Sequence, residues 1–148
     1  MTMVKNSHVG MVAAVATVGV IAAVTMLTSP RAEAQRTPSC KGQRATIVGT
    51  AGSDDIEGTS GRDVIVGRGG HAELDGNGGR DLICGGGGSD DLSGDGAKDR
   101  LYGGGGNDDI DGDGGNDRLY RGRGFDEIEG DSGIDLCRGG EERESCER

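Results

Sequence analysis

Residues 85–111 read GGGGSDDLS, GDGAKDRLY and GGGGNDDID, three nonapeptides laid end to end. Nine-residue steps taken outward from this stretch hold without insertion or deletion over residues 49–138. They give ten units: GTAGSDDIE, GTSGRDVIV, GRGGHAELD, GNGGRDLIC, then the three above, then GDGGNDRLY, RGRGFDEIE and GDSGIDLCR. Column one is Gly except at Arg121, and column four is Gly except at Ala97. Column six is Asp except at Ala72, and column eight is Ile or Leu except at Cys137. A glycine-rich disordered linker has no reason to keep Asp and Ile/Leu in fixed register.

Each column has a physical task. Glycines in columns one and four permit positive φ and a sharp loop with inward carbonyls. The column-six Asp closes the loop and offers a hard oxygen ligand. Columns seven to nine form a short strand whose middle side chain points inward while its neighbours, such as Asp55, Glu57, Arg100 and Arg118, point out. Strand, loop, strand and loop complete a coil in eighteen residues, so units two apart stack as parallel strands. The expected fold is all-β, a right-handed parallel β-roll.

In such a roll the column-six residues fall into two files. One holds Asp54, Ala72, Asp90, Asp108 and Asp126; the other holds Asp63, Asp81, Asp99, Asp117 and Asp135. Carboxylates one strand spacing apart repel by about 3 kcal/mol at an effective dielectric of 20. A cation between them turns repulsion into attraction. Ca²⁺, which accepts six to eight oxygens in flexible geometry, suits the site better than Mg²⁺. Ten inward side chains cannot offset the ordering of ninety glycine-rich residues, so metal binding is expected to be coupled to folding.

The repeat resembles the RTX, or hemolysin-type, calcium-binding family, whose unit is G-G-x-G-x-D-x-U-x. GGGGSDDLS and GGGGNDDID match it at every defined position. The resemblance implies Ca²⁺ held between loops two units apart by both aspartates and by loop carbonyls. The complete pairs are then Asp63/Asp81, Asp81/Asp99, Asp99/Asp117, Asp117/Asp135, Asp90/Asp108 and Asp108/Asp126. Asp54/Ala72 and Ala72/Asp90 each lack a carboxylate and are expected to be weak or empty. The whole chain looks like the small secreted calcium-binding proteins of this type from actinomycete-like bacteria; it departs from the large toxins and proteases in having no catalytic or pore-forming segment.

Outside the repeats, Lys5, an apolar run over residues 9–27 and Ala32-Glu33-Ala34 have the layout of a signal peptide cleaved after Ala34. An uncleaved membrane anchor is the alternative. The expected organisation is a signal peptide at 1–34, a cap segment at 35–48, the roll at 49–138 and a charged tail at 139–148. Export makes the protein extracellular and accounts for four cysteines without a C-x₂-C pair. Three pairings are possible; Cys40–Cys84 with Cys137–Cys146 is favoured, since each ties a terminal segment to the roll.

The net charge of −10 disfavours nucleic acid. Nothing points to an enzyme. His71 reads as an exposed loop residue, the serines lie in repeat columns without a nucleophile elbow, and Asp109-Ile110-Asp111-Gly112-Asp113-Gly114 lacks the downstream Glu of an EF-hand. Tyr102 and Tyr120, eighteen residues apart, are expected to stack on one outer face. The reading is a non-catalytic secreted calcium-binding protein, with calcium ions as partner and cofactor. A calcium-rigidified structural or adhesive surface protein is the alternative.

Overall fold

A computed structural model describes residues 37–139; the expected signal segment, the rest of the charged tail and Cys146 lie outside these residues. The repeats wind into a parallel β-roll of about five coils, and no helix occurs among the described residues. Every repeat strand pairs with one eighteen residues away, as in Arg100↔Arg118 and Asp109↔Glu127. Even-numbered units build a six-stranded sheet and odd-numbered units a five-stranded sheet on the opposite side. The only antiparallel pairing among the described residues is a small hairpin, Ser39–Cys40 with Gln43–Arg44.

Column eight fills the space between the sheets. Ile65, Ile83, Leu101 and Leu119 from one side meet Leu74, Leu92 and Ile110 from the other, all buried. Ile56 and Ile128 in the end coils are only partly covered. Cys137 continues the file at 2 % exposure and is disulfide-bonded; its expected partner, Cys146, lies outside the described residues. The expected Cys40–Cys84 bond is present, with an S–S distance of 2.01 Å. It pins the hairpin over Val64, Val66 and Leu82 on the outer face of the six-stranded sheet.

Three features differ from the expectation. The six-stranded sheet starts at Ile47–Val48, which pairs in register with Ile65 and Val66, so the sheet begins one strand before Gly49. Its inner strands, such as Leu82–Gly87 and Arg100–Gly105, run six residues, into columns one to three of the next unit. The loops on the other edge also pair, through two-residue strands such as Gly78–Gly79 and Gly96–Ala97. Loop backbone without bulky side chains can approach the loop of the neighbouring coil closely enough to make ladder hydrogen bonds.

A further difference concerns the glycines. Positive φ occurs in columns two and four, as at Asp95 (57°) and Gly106 (129°), and column one does not adopt it. Column one needs Gly for space. A Cβ on Gly85 would sit 2.6 Å from Oδ2 of Asp90 and 2.7 Å from the carbonyl oxygen of Gly103 in the next coil. The first two loops are built otherwise: Thr50 and Thr59 hold column two without positive φ, and each hydroxyl accepts the column-four N–H at 3.1 Å.

Candidate metal centre

The column-six residues lie at the ends of the loops, where the chain turns into each strand. From Asp81 onward, Oδ1 of each carboxylate accepts the backbone N–H of the column-six residue one coil earlier. In one file Asp63 donates to Asp81 (2.7 Å), Asp81 to Asp99 (2.6 Å), Asp99 to Asp117 (2.8 Å) and Asp117 to Asp135 (2.8 Å). In the other, Ala72 donates to Asp90, Asp90 to Asp108 and Asp108 to Asp126, each at 3.0 Å. Ala72 keeps its place as a donor although it offers no carboxylate. The N–H of Asp54, one coil before it, turns to the His71 carbonyl at 3.2 Å.

This arrangement leaves Oδ2. In Asp81, Asp90, Asp99, Asp108 and Asp117 that atom is buried and has no hydrogen-bond partner. Buried polar atoms are almost always paired, and an unpaired carboxylate oxygen is costly. Five in succession, repeating with the coil, form a set of buried hard anionic donors. The donor set fits a hard divalent cation such as Ca²⁺.

Electrostatics point the same way. Burial pushes the Asp99 carboxyl up to about 7, with Asp81, Asp117 and Asp95 adding repulsion against the opposing Asp81 hydrogen bond. Burial likewise raises Asp81, Asp90, Asp108 and Asp117. Asp63 goes the other way. Burial raises it, but the amide and hydroxyl of Thr59 and the hydroxyl of Thr46 outweigh that and hold it below the usual carboxylate range.

The first-coil aspartates therefore differ from the rest. Thr59 donates its N–H (2.7 Å) and hydroxyl (2.8 Å) to Oδ2 of Asp63, while the Thr46 hydroxyl donates to Oδ1 at 3.1 Å. Thr50 serves Asp54 in the same manner, with its N–H 2.7 Å from Oδ2. Asp54, Asp126 and Asp135, at the ends of their files, are partly exposed. His71 is exposed, with its ring nitrogen against the Ser89 carbonyl.

A second acidic line runs along one edge of the roll. Column nine of odd units and column two of even units meet there. Carboxylate oxygens of Asp111, Glu129 and Asp131 lie within 4.8 Å of one another. Farther along, a hydrogen bond with Asp75, together with burial, lifts Asp95 to about 6. The recurrence of acids in these two columns at eighteen-residue spacing was the available signal; a nine-residue alignment separates them.

The RTX calcium-binding nonapeptide repeat matches the chain four times, over residues 48–83, 57–92, 85–119 and 93–128, together more than half its length. The chain belongs to the RTX calcium-binding repeat family. No curated protein and no solved structure matches it. The RTX register continues in the structure beyond the last match, through the strand Leu136–Arg138. RTX repeats form a structural, non-catalytic domain, and the buried aspartates are those of column six in the RTX unit.

Proposed function

We infer that this chain is a secreted calcium-binding protein whose roll is completed by Ca²⁺ between the coils. The observation that carries the reading is the run of buried, unpartnered Oδ2 atoms on Asp81, Asp90, Asp99, Asp108 and Asp117. These five are the principal ligands, and Asp126 and Asp135 close their files at the carboxy-terminal end. When bound, calcium supplies the positive charge that buried carboxylates require. Asp54 and Asp63 contribute less, because Thr50 and Thr59 already engage their Oδ2 atoms.

Export is supported by the amino-terminal signal-like segment and by the Cys40–Cys84 disulfide, which belongs in an oxidising compartment. Among the described residues no helix is long and apolar enough to cross a membrane. Calcium titration followed by circular dichroism and calorimetry, with magnesium as control, tests the reading. Cooperative gain of β-structure in calcium alone, at the 10⁻⁴ to 10⁻³ M typical of extracellular modules, is expected. A chain fully ordered in chelator and indifferent to calcium would overturn it.

A further inference from the structure

The eighteen-residue coil sorts charge onto opposite sides. The strands of the five-stranded sheet carry acids and no base: column seven alone supplies Asp55, Glu73, Asp91, Asp109 and Glu127. The strands of the six-stranded sheet carry Arg68, Arg100, Arg118, Arg121, Arg123 and Arg138, and no acid. Next to them a cleft of about 240 Å³ is lined by Arg62, Arg80, Lys98 and Arg100 together with Gln43, Leu82 and buried Asp81. No ion pair engages Arg80, Lys98, Arg100 or Arg118 among the described residues. A protein of net charge −10 thus concentrates cations on one face.

We propose that this basic face is a docking surface for a linear acidic polysaccharide bearing carboxylates. Charge complementarity sets the sign of the partner, and the planar guanidinium suits carboxylate oxygens two at a time. Arg100 and Arg118 are paired neighbours in the sheet, so their charges repeat at about one strand spacing, 4.8 Å, along the roll axis. Two guanidiniums so spaced can bracket one carboxylate of a chain lying along the axis.

Other partners fit less well. The hairpin covers the first strands of this face, leaving roughly 300 Å², far below the ~800 Å² per partner of a stable protein interface. Its apolar side chains Val64, Val66 and Leu82 are buried, and the one partly exposed ring cluster on it is the stacked pair Tyr102 and Tyr120. Single-stranded nucleic acid needs free aromatic faces for base stacking. Tyr102 and Tyr120 stack on each other, centroids 4.3 Å apart and planes 4° apart, while the Lys41 ammonium sits 4.3 Å from the Tyr102 ring centre.

The test is binding of the purified protein to immobilised hyaluronate in calcium, with neutral dextran as control. Circular dichroism reads formation of the calcium-folded roll separately, so failure of the calcium reading is distinguishable from failure of this one. Binding that weakens with salt and falls at least tenfold in Arg100→Ser/Arg118→Ser is expected, while Glu73→Gln/Glu127→Gln on the opposite face leaves it unchanged. Arg80→Ser/Lys98→Ser, altering two exposed side chains, serves if the first variant does not fold. The proposal is overturned by absence of hyaluronate binding or by full binding in a folded charge-removed variant. It also fails if single-stranded DNA binds more tightly, or if sedimentation shows self-association that the same substitutions abolish.

Discussion

Oδ1 of Asp99 accepts the backbone N–H of Asp81 at 2.6 Å, across one whole coil, while Oδ2 of the same carboxylate is buried without a partner. One side chain thus performs two separable tasks, tying adjacent coils together and presenting an anionic oxygen. Asp99→Asn retains an acceptor for the Asp81 amide and removes the charge. It is expected to fold at least as well as the parent in chelator and to bind calcium more weakly, whereas Asp99→Ala loses both tasks. Asp54→Ala, at a partly exposed end of its file, is expected to do less harm than Asp99→Ala. Calcium midpoints from circular dichroism rank the variants, and equal effects of Asp99→Ala and Asp54→Ala would contradict the two-file arrangement.

In the first coil, threonine amides and hydroxyls engage the Oδ2 atoms that have no partner farther along the roll. Thr59→Val keeps the shape of the side chain and removes the donor to Asp63 Oδ2 and the acceptor for the Gly61 N–H. A loss of about 1–2 kcal/mol in saturating calcium is expected, read by urea denaturation, with calcium stoichiometry unchanged. A variant as stable as the parent would show that the hydroxyl contributes nothing.

Acid should act oppositely with and without calcium. The Asp99 carboxyl in the ion-free roll is raised from 3.8 to about 7, so between these values the roll holds a proton that the unfolded chain does not. The stability from that proton grows as pH falls through 7, is fully present below 3.8, and is lost above 7. Asp81, Asp90, Asp108 and Asp117 act in the same direction, and Asp63, which is lowered, opposes them. In chelator, β-structure should increase from pH 8 to pH 5. In calcium, protons compete with the ion, and the midpoint should move to higher calcium over the same range. An ion-free chain that loses order on mild acidification would contradict the buried carboxylates.

Glycine columns differ in what they tolerate. Gly85→Ala places a Cβ against Asp90 Oδ2 and the Gly103 carbonyl, whereas a Cβ on Gly87 meets nothing nearer than 3.9 Å. Overpacking of the first kind costs about 1–3 kcal/mol, and Gly87→Ala should lie within about 0.5 kcal/mol of the parent. Thermal unfolding in calcium compares them.

Ala97 occupies column four at φ 98°, a conformation glycine adopts at lower cost. Ala97→Gly should raise stability by about 1 kcal/mol, seen as a higher melting temperature in calcium. An unchanged or lower value would mean that the methyl group gains compensating contacts.

Much was legible because a solenoid makes its contacts between residues at constant separation. The columns placed Ile83 and Leu101 in the interior, Asp81 and Asp99 in one file and the two tyrosines side by side, since a single period determines both sequence register and spatial neighbour. The acidic edge was not legible in the same way. Asp111 and Asp131 belong to different columns of different units and meet only when the loop closes.

The sequence by itself determined the coil length, the inward file and the identity of the column-six carboxylates, because these follow from chain periodicity and side-chain alternation. Only the tertiary structure decided which oxygen of each carboxylate is used, that Thr59 engages Asp63, and that column one needs glycine for space rather than for positive φ. Those outcomes depend on distances of a few ångströms between adjacent coils, and such distances exist only once the coils are stacked.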